Sequence, residues 1–211
     1  MSQLAKPKRK YNSDRRRAQA GETRRQIVAA ARTLFMERGY AGATIEAIAQ
    51  AAGVAPETIF AVFGSKRAIL ARLVGVAVGG DEQPIPLLQR PGPQAVFQER
   101  DPARQLELFA ADISAILERV APVFEIMRMA AKTEPDIAGL LKNLLEERLQ
   151  NMLIFVQHLP LRAGLDAAQA AETVWAVTSP EVFSLLTLDR GWPRERYTRW
   201  LAGALSRLLL S

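Results

Sequence analysis

Apolar residues recur at helical spacing along most of the chain. Between Glu22 and Arg38 they are Ile27, Ala30, Ala31, Leu34 and Phe35, and Gly39 follows as a residue able to take positive φ, so the spacing predicts an amphipathic helix that stops there. Thr44 is placed to cap a second, short helix with Ile45, Ile48 and Ala49 on one face, ended by Gly53. Pro56 suits a first helical position, and Ile59, Phe60 and Phe63 give a third short helix stopping at Gly64. Ser65 caps a fourth, from Lys66 to about Val78.

Residues 79–100 hold Gly79, Gly80, Pro84, Pro86, Pro91, Gly92 and Pro93, too many breakers for one regular helix, and read as a loop or linker. Asp101-Pro102 then starts a helix with the stripe Leu106, Phe109, Ile113, Ile116, Leu117 and Val120. Pro122 is expected to restart the chain as a separate helix to about Lys132, and Pro135 to open the longest one, with Leu141, Leu145, Leu149, Met152, Val156 and Leu159 on its face. Asp166 can cap a helix through Trp175 that Pro180 breaks. Pro193 opens the last, with Tyr197, Trp200, Leu201, Ala204, Leu205 and Leu208 on one side. No strand pattern competes, so the fold class is all-α.

Two short helices joined by a Gly-containing turn, with a longer helix before them, fit a helix-turn-helix; they fit an ordinary small helical bundle as well. Charge favours the first reading. Residues 1–80 carry 14 basic and 5 acidic side chains, whereas residues 81–211 carry 14 and 17. A basic segment joined to a mildly acidic one suits a polyanion-binding module attached to a module with another task. The expected organisation is a basic flexible arm over 1–20, a DNA-binding domain over 21–66, and a second helical domain over 67–211.

Composition narrows the chemistry. The 211 residues include no cysteine and a single histidine, His158, which leaves no thiolate or histidine cluster for a metal, and no cofactor is expected. No nucleophile elbow or Gly-rich phosphate loop follows a strand, so an enzyme is not expected. The basic N-terminus leads into more charge, not into an apolar signal segment, and no apolar run reaches membrane-spanning length; a soluble cytoplasmic protein is expected. The rival is a non-enzymatic adaptor whose basic arm holds an anionic membrane or a protein partner, although Leu4 and Tyr11 are the only bulky apolar residues beside those charges.

The stretch Arg25-Gln26-Ile27-Val28-Ala29-Ala30-Ala31, with Leu34-Phe35, Gly39-Tyr40, Thr44-Ile45, Ile48-Ala49, Ala52-Gly53-Val54, Thr58-Ile59-Phe60, Phe63 and Ser65-Lys66, resembles the N-terminal domain of TetR-type transcriptional regulators. The segments Trp175 to Glu181 and Asp189 to Trp192 are similar to a tail found in one group of those proteins. The resemblance implies a homodimeric repressor that leaves double-stranded operator DNA when a small molecule binds, and makes 67–211 the helical ligand-binding and dimerisation domain. It makes Pro56–Phe63 the recognition helix, with Ala55, Pro56, Glu57, Thr58, Phe60 and Ala61 nearest the duplex. Glu57 can accept a hydrogen bond from cytosine N4, or serve as a helix-dipole partner in the first turn.

By the same resemblance Thr44, Lys66 and Arg67 are phosphate ligands. The commonest family pattern has Tyr and His where this chain has Phe60 and Val62, which cannot hydrogen-bond phosphate. The arm of Lys6, Lys8, Arg9, Lys10, Arg15, Arg16 and Arg17 is the expected compensation. For the second module, candidate ligand residues are Phe109, Phe124, Met127, Arg128, Phe155 and Trp175. Candidate dimer-interface residues are Trp175, Phe183, Tyr197, Trp200, Leu201, Leu205 and Leu208. Residues of either set can instead belong to the core of a single subunit.

Overall fold

A computed structural model describes residues 11–210, with side chains from Arg15 onward. Lys6, Lys8, Arg9 and Lys10 of the expected arm lie outside the described residues. Ten α-helices and no strands occur among the described residues: α1 (Tyr11–Gly42), α2 (Ile45–Ala52), α3 (Pro56–Phe63), α4 (Lys66–Gly79), α5 (Pro91–Gln98), α6 (Pro102–Ala130), α7 (Pro135–Val156), α8 (Ala167–Val177), α9 (Pro180–Ser184) and α10 (Arg194–Leu209). The chain divides into two compact units after Leu70, within α4.

Helix α1 begins eleven residues before Glu22 and takes in Arg15, Arg16 and Arg17, so residues 11–20 are helical where a flexible arm was expected. The run Arg15-Arg16-Arg17-Ala18-Gln19-Ala20 consists of good helix formers and can extend a helix already nucleated by the packed turns after it. Gly39, at φ 68°, breaks the regular path near the end of α1. In the first unit Ile27, Ala31, Phe35, Ile48, Ile59 and Ile69 are fully buried.

The second unit is built around α6, which packs against α5, α7, α9 and α10, while α7 packs against α8. Pro122 does not restart the chain. Helix α6 continues through it for 29 residues and, with α1, is longer than the 22-residue α7. A mid-helix proline costs about 3 kcal/mol. Burial of Val120, Ala121, Val123, Phe124 and Met127 around it offsets that cost.

The breaker-rich segment also differs from expectation. Leu87–Gln89 forms a 3-10 turn, and Pro91, Gly92 and Pro93 start α5, because prolines are tolerated in a first helical turn, where N–H groups have no intrahelical partner. Gln105, buried on α6, donates to the Val96 carbonyl at 2.9 Å and fixes α5.

Three arginines order what precedes it. Arg119 of α6 donates from Nε to the Ala77 carbonyl at 2.9 Å and from Nη2 to the Val78 carbonyl at 3.3 Å. Arg90 donates to the carbonyls of Gly79, Gln83 and Ile85 and grips both carboxylate oxygens of Asp81 at 3.0 Å. The Arg90 guanidinium holds the Asp81 carboxyl below the usual carboxylate range. Arg72 donates to the Glu82 carbonyl at 3.0 Å.

Helix α10 resolves part of the choice between interface and core. Tyr197, Leu201 and Leu205 are fully buried within the single chain, and Phe183 nearly so, which corrects their assignment to a dimer surface. The helix presents 197, 201, 205 and 209 to α6 at a spacing of four, so Leu209 and not Leu208 completes the buried row. Leu208 is exposed and Trp200 half-buried.

Replacing Arg119 with Met keeps the aliphatic stem but leaves the Ala77 and Val78 carbonyls without their donors. Urea unfolding of Arg119→Met should show a loss of about 1–3 kcal/mol; an unchanged midpoint would mean that water serves those carbonyls equally well.

Candidate nucleic-acid interface and ligand cavity

The first unit positions a short exposed helix by local signals. Thr44 takes an extended conformation, and its hydroxyl accepts the Ala47 N–H at 3.1 Å, which starts α2. Gly53 sits at φ 68°, ψ 31°, and the N–H groups of Gly53 and Val54 close on the carbonyls of Gln50 and Ala49. A residue with a Cβ is strained in that left-handed conformation. The chain then reverses through Val54 and Ala55 into Pro56, with α2 and α3 bent 100° at the break. Helices set at roughly 90–120° across a three- or four-residue turn are the helix-turn-helix geometry.

On α3, Ile59 is fully buried and Thr58 half-buried, whereas Glu57, Phe60 and Ala61 are exposed and share one face at a spacing of three and four. Phe60 is 54% exposed, a large apolar side chain facing outward. Ala55 caps α3 without a side-chain bond, Pro56 is half-buried, and Glu57 stands in the first turn, where a carboxylate favours the helix dipole. Thr44 and Arg67 are exposed, as are Arg15, Arg16 and Arg17. Lys66 is different: its ammonium donates to the Tyr40 carbonyl at 2.8 Å and lies 4.2 Å from the Tyr40 ring centroid. It ties the end of α1 to the start of α4, a positioning role that the phosphate assignment did not anticipate. Arg24 stands over the Phe63 ring in the same unit.

The second unit contains a cavity of about 340 Å³, within the usual size range of small-molecule sites. Its walls come from α4 (Val74, Val78), the ordered segment after it (Ile85, Leu87), α6 (Ile113, Leu117, Val120, Phe124) and α7 (Leu144, Met152). Arg72, Arg90, Asp81, Glu147, Arg148 and Asn151 supply its polar atoms. Arg148 is held firmly. Its Nη2 donates to the Trp175 carbonyl and, at 2.9 Å, to Thr178 Oγ1, and its guanidinium lies over the Trp175 ring at 5.0 Å. Burial pushes that guanidinium down to about 10, opposed by the charge of Glu181. Arg148 Nη1 and Arg72 Nε are both buried without a hydrogen-bond acceptor.

Of the six residues proposed from sequence for the ligand, only Phe124 lines this cavity. Phe109 and Phe155 stack on each other with centroids 3.9 Å apart and border a neighbouring void of about 40 Å³. Met127 is fully buried packing, and Arg128 is spent on an ion pair with Glu181. Trp175 borders a separate open groove of about 620 Å³ between α7 and α8, and its indole N–H donates to the Leu145 carbonyl at 3.2 Å. Sequence reasoning missed Arg72 and Arg148. A signal for Arg148 existed, since it lies four residues from both Leu144 and Met152 on one helical face.

Among the described residues no group of three or more His, Cys, Asp or Glu side chains is disposed to hold a metal ion, and no single helix is long and apolar enough to cross a membrane.

The sequence pattern of the family described as "Bacterial regulatory proteins, tetR family" matches residues 27–73, which contain the whole helix-turn-helix. The HTH-type transcriptional repressor BepR of Brucella suis biovar 1 is 32% identical over 165 residues, covering 75% of this chain and 76% of BepR. Among solved structures, NalD of Pseudomonas aeruginosa, the secondary repressor of the MexAB-OprM multidrug efflux pump, superposes with a TM-score of 0.68 at 19% identity, covering 90% of this chain and 98% of NalD. The SmeT-triclosan complex superposes with a TM-score of 0.70 at 20% identity, covering 90% and 92%. At those identities the two structures speak for the fold. With the 100° helix-turn-helix and the match to BepR over three quarters of both chains, this protein belongs to the TetR family of bacterial regulatory proteins and is a DNA-binding transcriptional repressor.

Proposed function

We propose that two copies of this repressor bind operator DNA in the cytoplasm, each laying α3 in the major groove, and that a small molecule in the second-unit cavity releases them. The exposed face of Glu57, Phe60 and Ala61 on a helix set 100° from α2 carries this reading. One such helix reaches few base edges, so two copies reading half-sites about one helical turn apart are needed for specificity. Phe60 is suited to apolar contact with a thymine methyl, and Glu57 to accepting from cytosine N4. Thr44 and Arg67 approach phosphates, and Ala55, Pro56 and Thr58 complete the surface next to the duplex.

The ligand acts through α4. That helix runs without a break from Lys66 to Gly79, and Arg72, Val74 and Val78 border the cavity. A ligand that binds one position of α4 more tightly shifts the dimer toward the state whose two reading heads no longer match the operator. SmeT, bound to triclosan in its solved structure, is one member of the same fold that takes a small molecule.

The partner copy packs against the helices from α8 to α10. Leu185 and Leu188 follow α9 with 54% and 70% of their surface exposed, and Trp200 and Leu208 add apolar area on α10. Replacing Leu185 and Leu188 together with Glu should convert a dimer to monomers in sedimentation, since charge buried without a partner costs several kcal/mol. A dimer undiminished by both changes would place the interface elsewhere.

Arg15, Arg16 and Arg17 point over an arc of about 200° on the helix, so one or two of the three can meet phosphate in each subunit. Changing all three to Gln keeps the helix and removes the charge. With two subunits, and about 0.9 in slope per neutralised phosphate, the dependence of log affinity on log salt should flatten by about 2–4. Loss of affinity should be equal for all sequences. An unchanged slope, with binding to anionic vesicles that depends on these arginines, would favour the adaptor reading instead.

A further inference from the structure

On the reading that the second-unit cavity receives the effector, we propose that this effector is an amphipathic organic anion, an apolar body ending in a carboxylate or a similar oxyanion that Arg148 and Arg72 receive. Aliphatic side chains and one ring, that of Phe124, make most of the wall. They fit a hydrocarbon body and offer no row of hydrogen bonds to a sugar or nucleotide.

The charges decide the head group. Asp81 is already gripped by Arg90 through both oxygens, so it has little to offer an incoming cation. Glu147 is exposed, so solvent screens its charge. Arg90 spends its donors on Asp81 and on three carbonyls. Of the guanidiniums that border the cavity, those of Arg148 and Arg72 have a buried N–H and no acceptor. They come from different helices, α7 and α4, and both border the cavity. An unmet buried donor on a charged group is costly. A neutral acceptor can satisfy the hydrogen bond but leaves the charge, whereas a carboxylate answers both. The depressed Arg148 value agrees with this, since burial of the cation outweighs the opposing charge of Glu181, which is itself paired with Arg128.

Arg148 is also prepared for this task. Its Nη2 is fixed by Trp175 and Thr178 and its Cζ lies over the Trp175 ring, so little side-chain freedom is left to lose when a ligand arrives.

Three probes of equal chain length separate the possibilities: octanoate, 1-octanol and octyltrimethylammonium. Binding to the full-length protein is measured by calorimetry and by tryptophan fluorescence, in which Trp175 beside Arg148 acts as a reporter. A DNA fragment selected from random sequence with this protein reports release in the same titrations. Octanoate should bind at least about tenfold more tightly than either other probe. That advantage should shrink about tenfold in Arg148→Met and in Arg72→Met, and Arg148→Lys should recover part of it. If Arg148→Met fails to fold, Arg72→Met and the comparison of probes on the unaltered protein decide. Equal or tighter binding of octanol or of the ammonium probe overturns the proposal, as does octanoate binding that is unchanged in both Met variants, or no octanoate binding at millimolar concentration. Arginine-dependent octanoate binding that leaves DNA bound supports the anion site and removes the effector reading. DNA release by the ammonium probe or octanol alone keeps the effector reading and removes the anion.

Discussion

A helix that ends against its own module leaves its last carbonyls without intrahelical donors, and the second unit is arranged around that need at the end of α4. Side-chain cations supply the donors. Arg119 reaches in from α6, Arg90 from the start of α5, and Arg72 from α4 itself, covering carbonyls between Ala77 and Ile85. A segment holding two glycines and two prolines thereby becomes a fixed wall and not a loose connection. Ile85 and Leu87 of that wall line the cavity, and Arg90 holds the Ile85 carbonyl.

The same guanidinium chemistry gives two outcomes around one cavity. Arg90 has acceptors for every nitrogen, so it is a structural clamp that asks nothing of a ligand. Arg148 is bonded on one side only, and Arg72 is short of an acceptor at Nε. A cavity in which some donors are saturated and others are not has a preferred polarity for what enters it. Because Arg72, Val74 and Val78 lie on α4, an element that borders the cavity also continues into the first unit.

That unit works by a different economy. Its helix α3 has only eight residues, far below the length at which an isolated helix holds together in water. It persists because Ile59 is buried beneath it, Pro56 starts it, and α2 and α1 supply the core of Ile27, Ala31, Phe35 and Ile48. Lys66 pins the end of α1 to the start of α4 through the Tyr40 carbonyl. The outer face is then free of structural duty, and this chain can carry a phenylalanine there.

The helix-turn-helix was legible in the sequence because each of its signals is local. The Thr44 cap, the left-handed Gly53, Pro56 at a first turn and the 3.6-residue spacing of Ile27, Ala31, Leu34 and Phe35 all act within a few residues of themselves. The same holds for Asp101 and Asp166, which cap α6 and α8 as their positions suggest. Periodicity names an apolar face but not what covers it. Whether Tyr197, Leu201 and Leu205 meet α6 or another subunit, and whether Phe109 borders a cavity or stacks on Phe155, depends on how helices distant in sequence pack. Proline rules erred at Pro122 and Pro93 for the same reason, since a local cost was outweighed by burial or fell in a first turn where no bond is lost. The cavity itself, and the unmet donors of Arg72 and Arg148 within it, arise only where α4, α6 and α7 come together, because an absent acceptor is a property of the surroundings and not of the residue.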